Sequence, residues 1–217
     1  MPSLWRVTLL LRPPVRAAFD GRTFGAEHVP AEGPVLIATN HASYLDPWFL
    51  GALFPRLPIR FLINEAWYDR SRLWRRVFRG YGVIPTTARA PDRTFARVLA
   101  ALADGSVVGV FPEGRISRDG RMNRPKAGIG WMAALSGVPV VPCGLRGSHQ
   151  ILPRHRRWPR RHPLRLHIGA AMRFPEAPTA TPEPVVIARF VESVIARIGE
   201  LAGSPAGRDG VISNGLW

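Results

Sequence analysis

Among its 217 residues the chain has a single cysteine, Cys143, and a single lysine, Lys126. A lone cysteine excludes an internal disulfide framework and a cysteine-rich zinc site, and it fits a reducing compartment. Its apolar neighbours predict a buried, inert thiol. His28, His149, His155, His162 and His167 lack metal-ligand spacing, so no metal is expected. The stretch Leu4 to Leu11 is too short and too interrupted to span a bilayer, and it has no small-residue cleavage site, so no export signal is read there. No repeat of solenoid period occurs.

Acidic residues are also scarce, 15 against 30 basic ones, for a formal net charge of +15 and a pI near 11.7. Such a balance points to anionic partners: membrane phosphates, coenzyme A phosphates, nucleic acid or an acidic carrier protein. Every basic residue but Lys126 is arginine, so compositional bias is an equally good source of the basicity. With 46% hydrophobic and 21% charged residues, the length fits one globular domain.

Apolar runs of strand length occur at Val35 to Ala38, Ile59 to Ile63, Gly82 to Ile84, Val107 to Phe111, Val138 to Cys143 and Leu164 to Ile168. Helical patterns lie between them. One begins near Ser43 or Asp46 and runs to Leu53, with Pro47 in its first turn. Others cover Arg72 to Arg79, Thr94 to Ala103 with Asp92 as cap, and Gly128 to Leu135 with Gly137 as stop. Ile187, Val191, Val194 and Ile198 form the apolar stripe of a last helix. This alternation predicts an α/β fold: a single domain with a mixed, largely parallel sheet flanked by helices, over residues 22–202. Residues 1–21 form an N-terminal segment, a short amphipathic helix ended by Pro13-Pro14 that lies either in a membrane interface or on the domain's own surface. Residues 203–217 read as a loose tail.

Three blocks carry chemistry. Asn40-His41-Ala42-Ser43-Tyr44-Leu45-Asp46 follows the first apolar run, Phe111-Pro112-Glu113-Gly114 follows the fourth, and Val138-Pro139-Val140-Val141-Pro142 forms the fifth. Both His41 and Glu113 come directly after apolar strands, so they can meet at one rim of a sheet. A histidine titrating near neutrality suits general-base work, and a carboxylate on its far ring nitrogen would fix the tautomer. Residues five apart do not face each other on one helix, so His41 and Asp46 can pair only if the chain bends between them. Without the other blocks, a helix-start histidine and an N-cap aspartate would be the simpler account.

In this order and spacing the blocks resemble the glycerolipid acyltransferase family, over roughly residues 22 to 170. The resemblance implies transfer of a fatty acyl group from acyl-CoA or acyl carrier protein to the hydroxyl of a lysophospholipid such as 1-acylglycerol-3-phosphate. No other cofactor is implied. It assigns catalysis to His41 and Asp46, and acceptor binding to Glu113 and Gly114. Where the family commonly continues Thr-Arg-Ser, this chain has Arg115-Ile116-Ser117-Arg118, so Ile116 fills the usual arginine position. Arg118, then Arg115, offers the planar fork that suits a phosphate. Arg89, after Gly82-Val83-Ile84-Pro85, sits one residue further on than the family pattern, and a solvated arginine is the simpler reading there. Lys126-Ala127-Gly128 resembles the family's Lys-x-Gly.

The segment Arg154-His155-Arg156-Arg157-Trp158-Pro159-Arg160-Arg161 is a basic loop around one aromatic. At an anionic membrane each arginine would contribute about 1 kcal/mol, whereas a stacking platform for RNA needs more aromatics than Trp158. The expected placement is therefore cytoplasmic and peripheral, on the inner face of the cell membrane, with nucleic acid as the second choice. Two alternatives accompany this reading: the same chemistry on another lyso-lipid, and a non-catalytic basic module.

Overall fold

The computed structural model describes residues 4–178 and 181–204, and the expected tail lies outside the described residues from 205 onward. Seven strands, β1 (Arg22–Phe24), β2 (Val35–Thr39), β3 (Ile59–Asn64), β4 (Ile84–Thr86), β5 (Val107–Val110), β6 (Val140–Arg146) and β7 (Arg165–Ile168), form one sheet in the order β1-β7-β6-β2-β5-β3-β4. All neighbouring pairs are parallel except β6 and β7. The central strand β2 is buried along its whole length, as expected of a parallel strand covered on both faces.

Alternation along β2 divides the core in two. Leu36 and Ala38 pack with α5 (Pro91–Ala103), α6 (Gly128–Ser136) and α8 (Pro184–Ala202). Val35 and Ile37 pack with α2 (Asp46–Leu53) and with Ile151, at the end of the short helix α7 (Ser148–Ile151). Two further helices, α3 (Glu65–Tyr68) and α4 (Arg72–Gly80), follow β3. Helix α4 is capped by Ser71, whose hydroxyl accepts the Trp74 N–H at 3.2 Å. Cys143 is buried, and desolvation pushes its thiol pKa up.

Several expectations are corrected. Helix α1 (Trp5–Ala18) continues through Pro13 and Pro14. Their missing N–H groups leave the carbonyls of Leu9 and Leu10 unbonded, and both residues are exposed enough for water to serve them. Tertiary contacts hold the helix: Arg12 Nε and Arg16 Nε donate to Gly51 O and Ala52 O at 3.0 and 3.1 Å, and Arg12 also reaches Phe54 O. These are the unpaired carbonyls at the C-terminus of α2, where cations are favoured. Helix α5 starts at Pro91, with Asp92 in its first turn and not at its cap. The prolines of the Val138–Pro142 block are expected at strand edges or bulges, yet Pro142 lies inside β6; the ladder to β7 begins one residue later, and Pro142 contributes only its carbonyl, to Gly169 N at 2.9 Å.

Helix α8 lies across β6 at Gly144, where a Cβ would come within 2.1 Å of the Leu201 carbonyl carbon and 2.2 Å of Ala202 N. Gly144→Ala should therefore lower the unfolding free energy by roughly 1–3 kcal/mol, measured by urea denaturation. Wild-type stability in that variant would show that α8 is not seated on the strand.

Candidate active site

Strands β2 and β5 are parallel neighbours, so the segments leaving their C-terminal ends emerge side by side. The chain's exit from β2 is fixed by buried Asn40. Its amide donates to Leu145 O at 3.0 Å and accepts the Leu145 N–H at 2.8 Å, which ties the exit to β6. Residues 41–45 then bend into α2, whose first residue is Asp46. Asp46 is fully buried, and its Oδ2 accepts three N–H bonds: His41 Nδ1 at 2.8 Å, Ala42 N at 2.7 Å and Ser43 N at 2.8 Å. The spacing of five works because the carboxylate of the helix's first residue reaches back into the loop that precedes it. The start of α2 also favours negative charge.

Nδ1 of His41 thus points to Asp46, which leaves Nε2 as the free ring nitrogen. The imidazole stacks on Phe111, with ring centroids 4.0 Å apart and planes 18° from parallel, and its side chain is 15% exposed. Packed so, it can exchange a proton without changing orientation.

Glu113 is buried beside this pair. Its Oε1 accepts the His41 N–H at 2.8 Å, and its Oε2 accepts Asn123 N at 2.7 Å and Asn123 Nδ2 at 2.8 Å. Both oxygens are engaged by the protein's own donors, so the carboxylate joins the exit of β2 to the loop before α6. Desolvation pushes its pKa up, and the donors of Asn123 and His41 offset part of that rise. Asn123 carries no motif that would single it out in the sequence.

Gly114 adopts φ +64°, and a Cβ there would meet Lys126 Cε at 3.1 Å and Nζ at 3.3 Å. The lysine lies over the glycine, anchored by its own N–H to Pro112 O at 2.9 Å. Burial and then the charge of Arg115 lower the Lys126 pKa. The loop carrying Arg115 and Arg118 is held to the histidine by Ser117 N, which donates to His41 O at 2.8 Å. Both arginines are exposed. His41, Asp46, Glu113, Gly114, Arg115 and Lys126 thus cluster, with Arg118 on the same loop. Arg89 is exposed after β4, three strands from β2 in the sheet order, and stands apart.

From His41 an apolar groove of about 360 Å³ runs along β3 as far as Leu57, walled by Phe61, Phe111, Trp48 of α2 and Val77 and Phe78 of α4. Its shape and lining suit an alkyl chain. The sequence gives the strand and helix that wall it but not their juxtaposition. The basic loop 154–161 follows α7 beyond β6, with Trp158 81% exposed. Among the described residues, no group of three His, Cys, Asp or Glu side chains is placed to hold a metal.

A family model described as Acyltransferase matches residues 22–146, a span that includes the whole cluster. Chloroplastic 1-acyl-sn-glycerol-3-phosphate acyltransferases of Brassica napus and Arabidopsis thaliana are each 32% identical over 138 residues. The matches cover 59% of this chain and 38% and 36% of theirs. An uncharacterised Mycobacterium tuberculosis protein is 31% identical over 157 residues, 66% of this chain and 42% of its own. The chain therefore spans less than half the length of the curated relatives it matches. The crystal structure of the 1-acyl-sn-glycerophosphate acyltransferase PlsC from Thermotoga maritima superposes with a TM-score of 0.67 at 21% identity, covering 93% of this chain and 83% of that one. At that identity the likeness is one of fold.

Glu113→Ala would leave three N–H donors, one on His41 and two on Asn123, without their acceptor. A loss of about 3 kcal/mol in unfolding free energy is expected, against about 1 kcal/mol for Asn123→Ala, by chemical denaturation. An unchanged midpoint for Glu113→Ala would mean that the carboxylate is not a structural tie.

Proposed function

The chain belongs to the acyltransferase family, and from that premise we propose that it transfers a fatty acyl group from a thioester donor to the free hydroxyl of a lysophospholipid, 1-acylglycerol-3-phosphate in the first instance. The observation that carries this reading is the 2.8 Å bond from His41 Nδ1 to buried Asp46, at the mouth of an apolar groove. His41 Nε2 takes the proton of the acceptor hydroxyl as its oxygen attacks the thioester carbonyl. Asp46 stabilises the imidazolium that forms, and collapse of the tetrahedral intermediate breaks the C–S bond, with the proton passing to the departing thiolate. A thioester is already activated, so no serine or cysteine nucleophile is required.

The groove holds an acyl chain. Arg118, further along the loop, and Arg115 and Lys126, beside Gly114, are the cations that receive the acceptor's phosphate, and Arg89 is a more distant candidate. Glu113 serves the acceptor indirectly, by holding His41 and the Asn123 loop in place. Coenzyme A or an acyl carrier protein supplies the acyl group, and either is an anionic partner suited to the chain's net charge of +15. Among the described residues no helix is long and apolar enough to cross a membrane. A peripheral position on the inner face of the cell membrane fits a lipid acceptor.

A second reading, a neutral or amino-lipid acceptor, is favoured by Ile116 in the family's usual arginine position. Thiol release from an acyl-CoA in the presence of 1-acylglycerol-3-phosphate tests the first reading: acceptor-dependent release by the wild type and its loss in a folded His41→Ala variant are expected. Arg118→Ala should raise the KM for the phosphate-bearing acceptor roughly 10- to 100-fold, the scale of a charge-assisted hydrogen bond. Near-normal release by His41→Ala would sink the mechanism, and equal effects of Arg118→Ala on phosphate-bearing and neutral acceptors would favour the second reading.

A further inference from the structure

Most of the large apolar side chains exposed among the described residues lie on adjoining elements, with Phe24, Trp158 and Val185 elsewhere. Tyr44 and Trp48 at the start of α2, Trp67 on α3 and Leu73 and Trp74 on α4 are 52%, 40%, 53%, 70% and 48% exposed. Their elements adjoin one another. Trp48 meets Tyr81 edge-on at 5.4 Å just past α4, α1 packs along α2, and a Cβ on Gly80 would lie 2.6 Å from Leu4. Tyr44, Trp48 and Trp74 themselves line the groove that begins at His41. The exposed patch is thus the rim of that groove.

Charge is distributed over the same rim. Helix α4, Arg-Leu-Trp-Arg-Arg-Val-Phe-Arg-Gly, carries four arginines and no acid. Arg72, Arg75, Arg76 and Arg79 recur at helical spacing on one side, while Leu73, Trp74, Val77 and Phe78 make the other. Arg70 lies 5.1 Å over the Trp67 ring. The nearby acids are Asp69 and Glu65; Asp69 is paired with Arg75 at 2.8 Å, and Glu65 lies 3.9 Å from Arg97. A helix with an arginine side and an apolar side, carrying exposed Trp74 and following exposed Trp67 of α3, has the composition of one lying in a bilayer interface, with rings at headgroup depth and guanidinium groups among lipid phosphates. A protein partner of matching shape would not need the apolar side to continue without a break into an alkyl-sized groove.

We propose that the rim formed by α3, α4 and the start of α2 is the docking face for an anionic bilayer, which presents the groove mouth to lipid. This assigns membrane contact to α4 in place of the 154–161 loop. The inference rests on the lipid-acylating reading of the groove. Its test separates the two.

Three variants of the 217-residue chain are compared with wild type: Trp67→Ser/Leu73→Ser and Arg72→Gln/Arg76→Gln on the rim, and Arg156→Gln/Arg157→Gln/Trp158→Ser on the loop, each checked by thermal unfolding. None of the substituted residues lines the groove. Sedimentation with phosphatidylglycerol/phosphatidylcholine vesicles should show wild-type binding that weakens with salt. A tenfold or greater loss is expected for the tryptophan–leucine variant and a flattened salt dependence for the arginine variant, with the loop variant unchanged. Thiol release with detergent-dispersed acceptor should be the same in all four proteins. Wild-type binding by both rim variants, loss confined to the loop variant, or no binding by wild type would each overturn the proposal. Absence of thiol release from every protein, with vesicle binding behaving as expected, would instead remove the acyltransfer reading and leave the docking face standing.

Discussion

Three N–H bonds converging on one buried oxygen, Asp46 Oδ2, organise the candidate site. A fully buried carboxylate is costly unless it is hydrogen-bonded; here Oδ2 takes all three donors while buried Oδ1 has no partner among the described residues, and two of these donors are backbone groups of the loop that carries the histidine. The bonds that make the carboxylate tolerable also fold residues 41–45 into the bend that brings His41 onto it. Loop shape and acid–base pairing are therefore one arrangement, and neither exists without the other. Glu113 repeats the device from the neighbouring strand, gripping the His41 N–H with one oxygen and Asn123 with the other.

The fold was legible wherever burial on both faces left a continuous apolar run, as at Val35 to Ala38 in β2 and Val107 to Val110 in β5. Strand β1 went unseen because three residues, Arg22 to Phe24, with alternate positions exposed, carry no hydrophobic period. The extension of α1 through Pro13 and Pro14 runs against local preference and depends on arginines bonding to a helix more than thirty residues away. Such tertiary overrides leave no trace in a local pattern.

The site shows the same division. The motif around His41 names both members of the pair because the bend and its cap are encoded within seven consecutive residues. Glu113 was visible as a carboxylate after a strand, but its partner Asn123 stands in a stretch without periodicity or motif. Its bonds depend on where the loop before α6 returns. Lys126 was marked by its rarity, and the structure adds why Gly114 precedes it in the fold: the lysine stem occupies the space a Cβ would need. The cations themselves were legible as types, not as places; Arg115 and Lys126 converge near Gly114, while Arg89 lies three strands from β2.

Helix α2 carries Asp46 at its first residue, and its last carbonyls are gripped by Arg12 and Arg16 of α1. Eight residues of helix form a stiff rod of about 12 Å. The arginine contacts of the N-terminal helix and the carboxylate under the imidazole thus sit at opposite ends of one short, mostly buried rod. The N-terminal helix is therefore joined to the His41–Asp46 pair through a single element, and how α1 is seated is part of what positions α2.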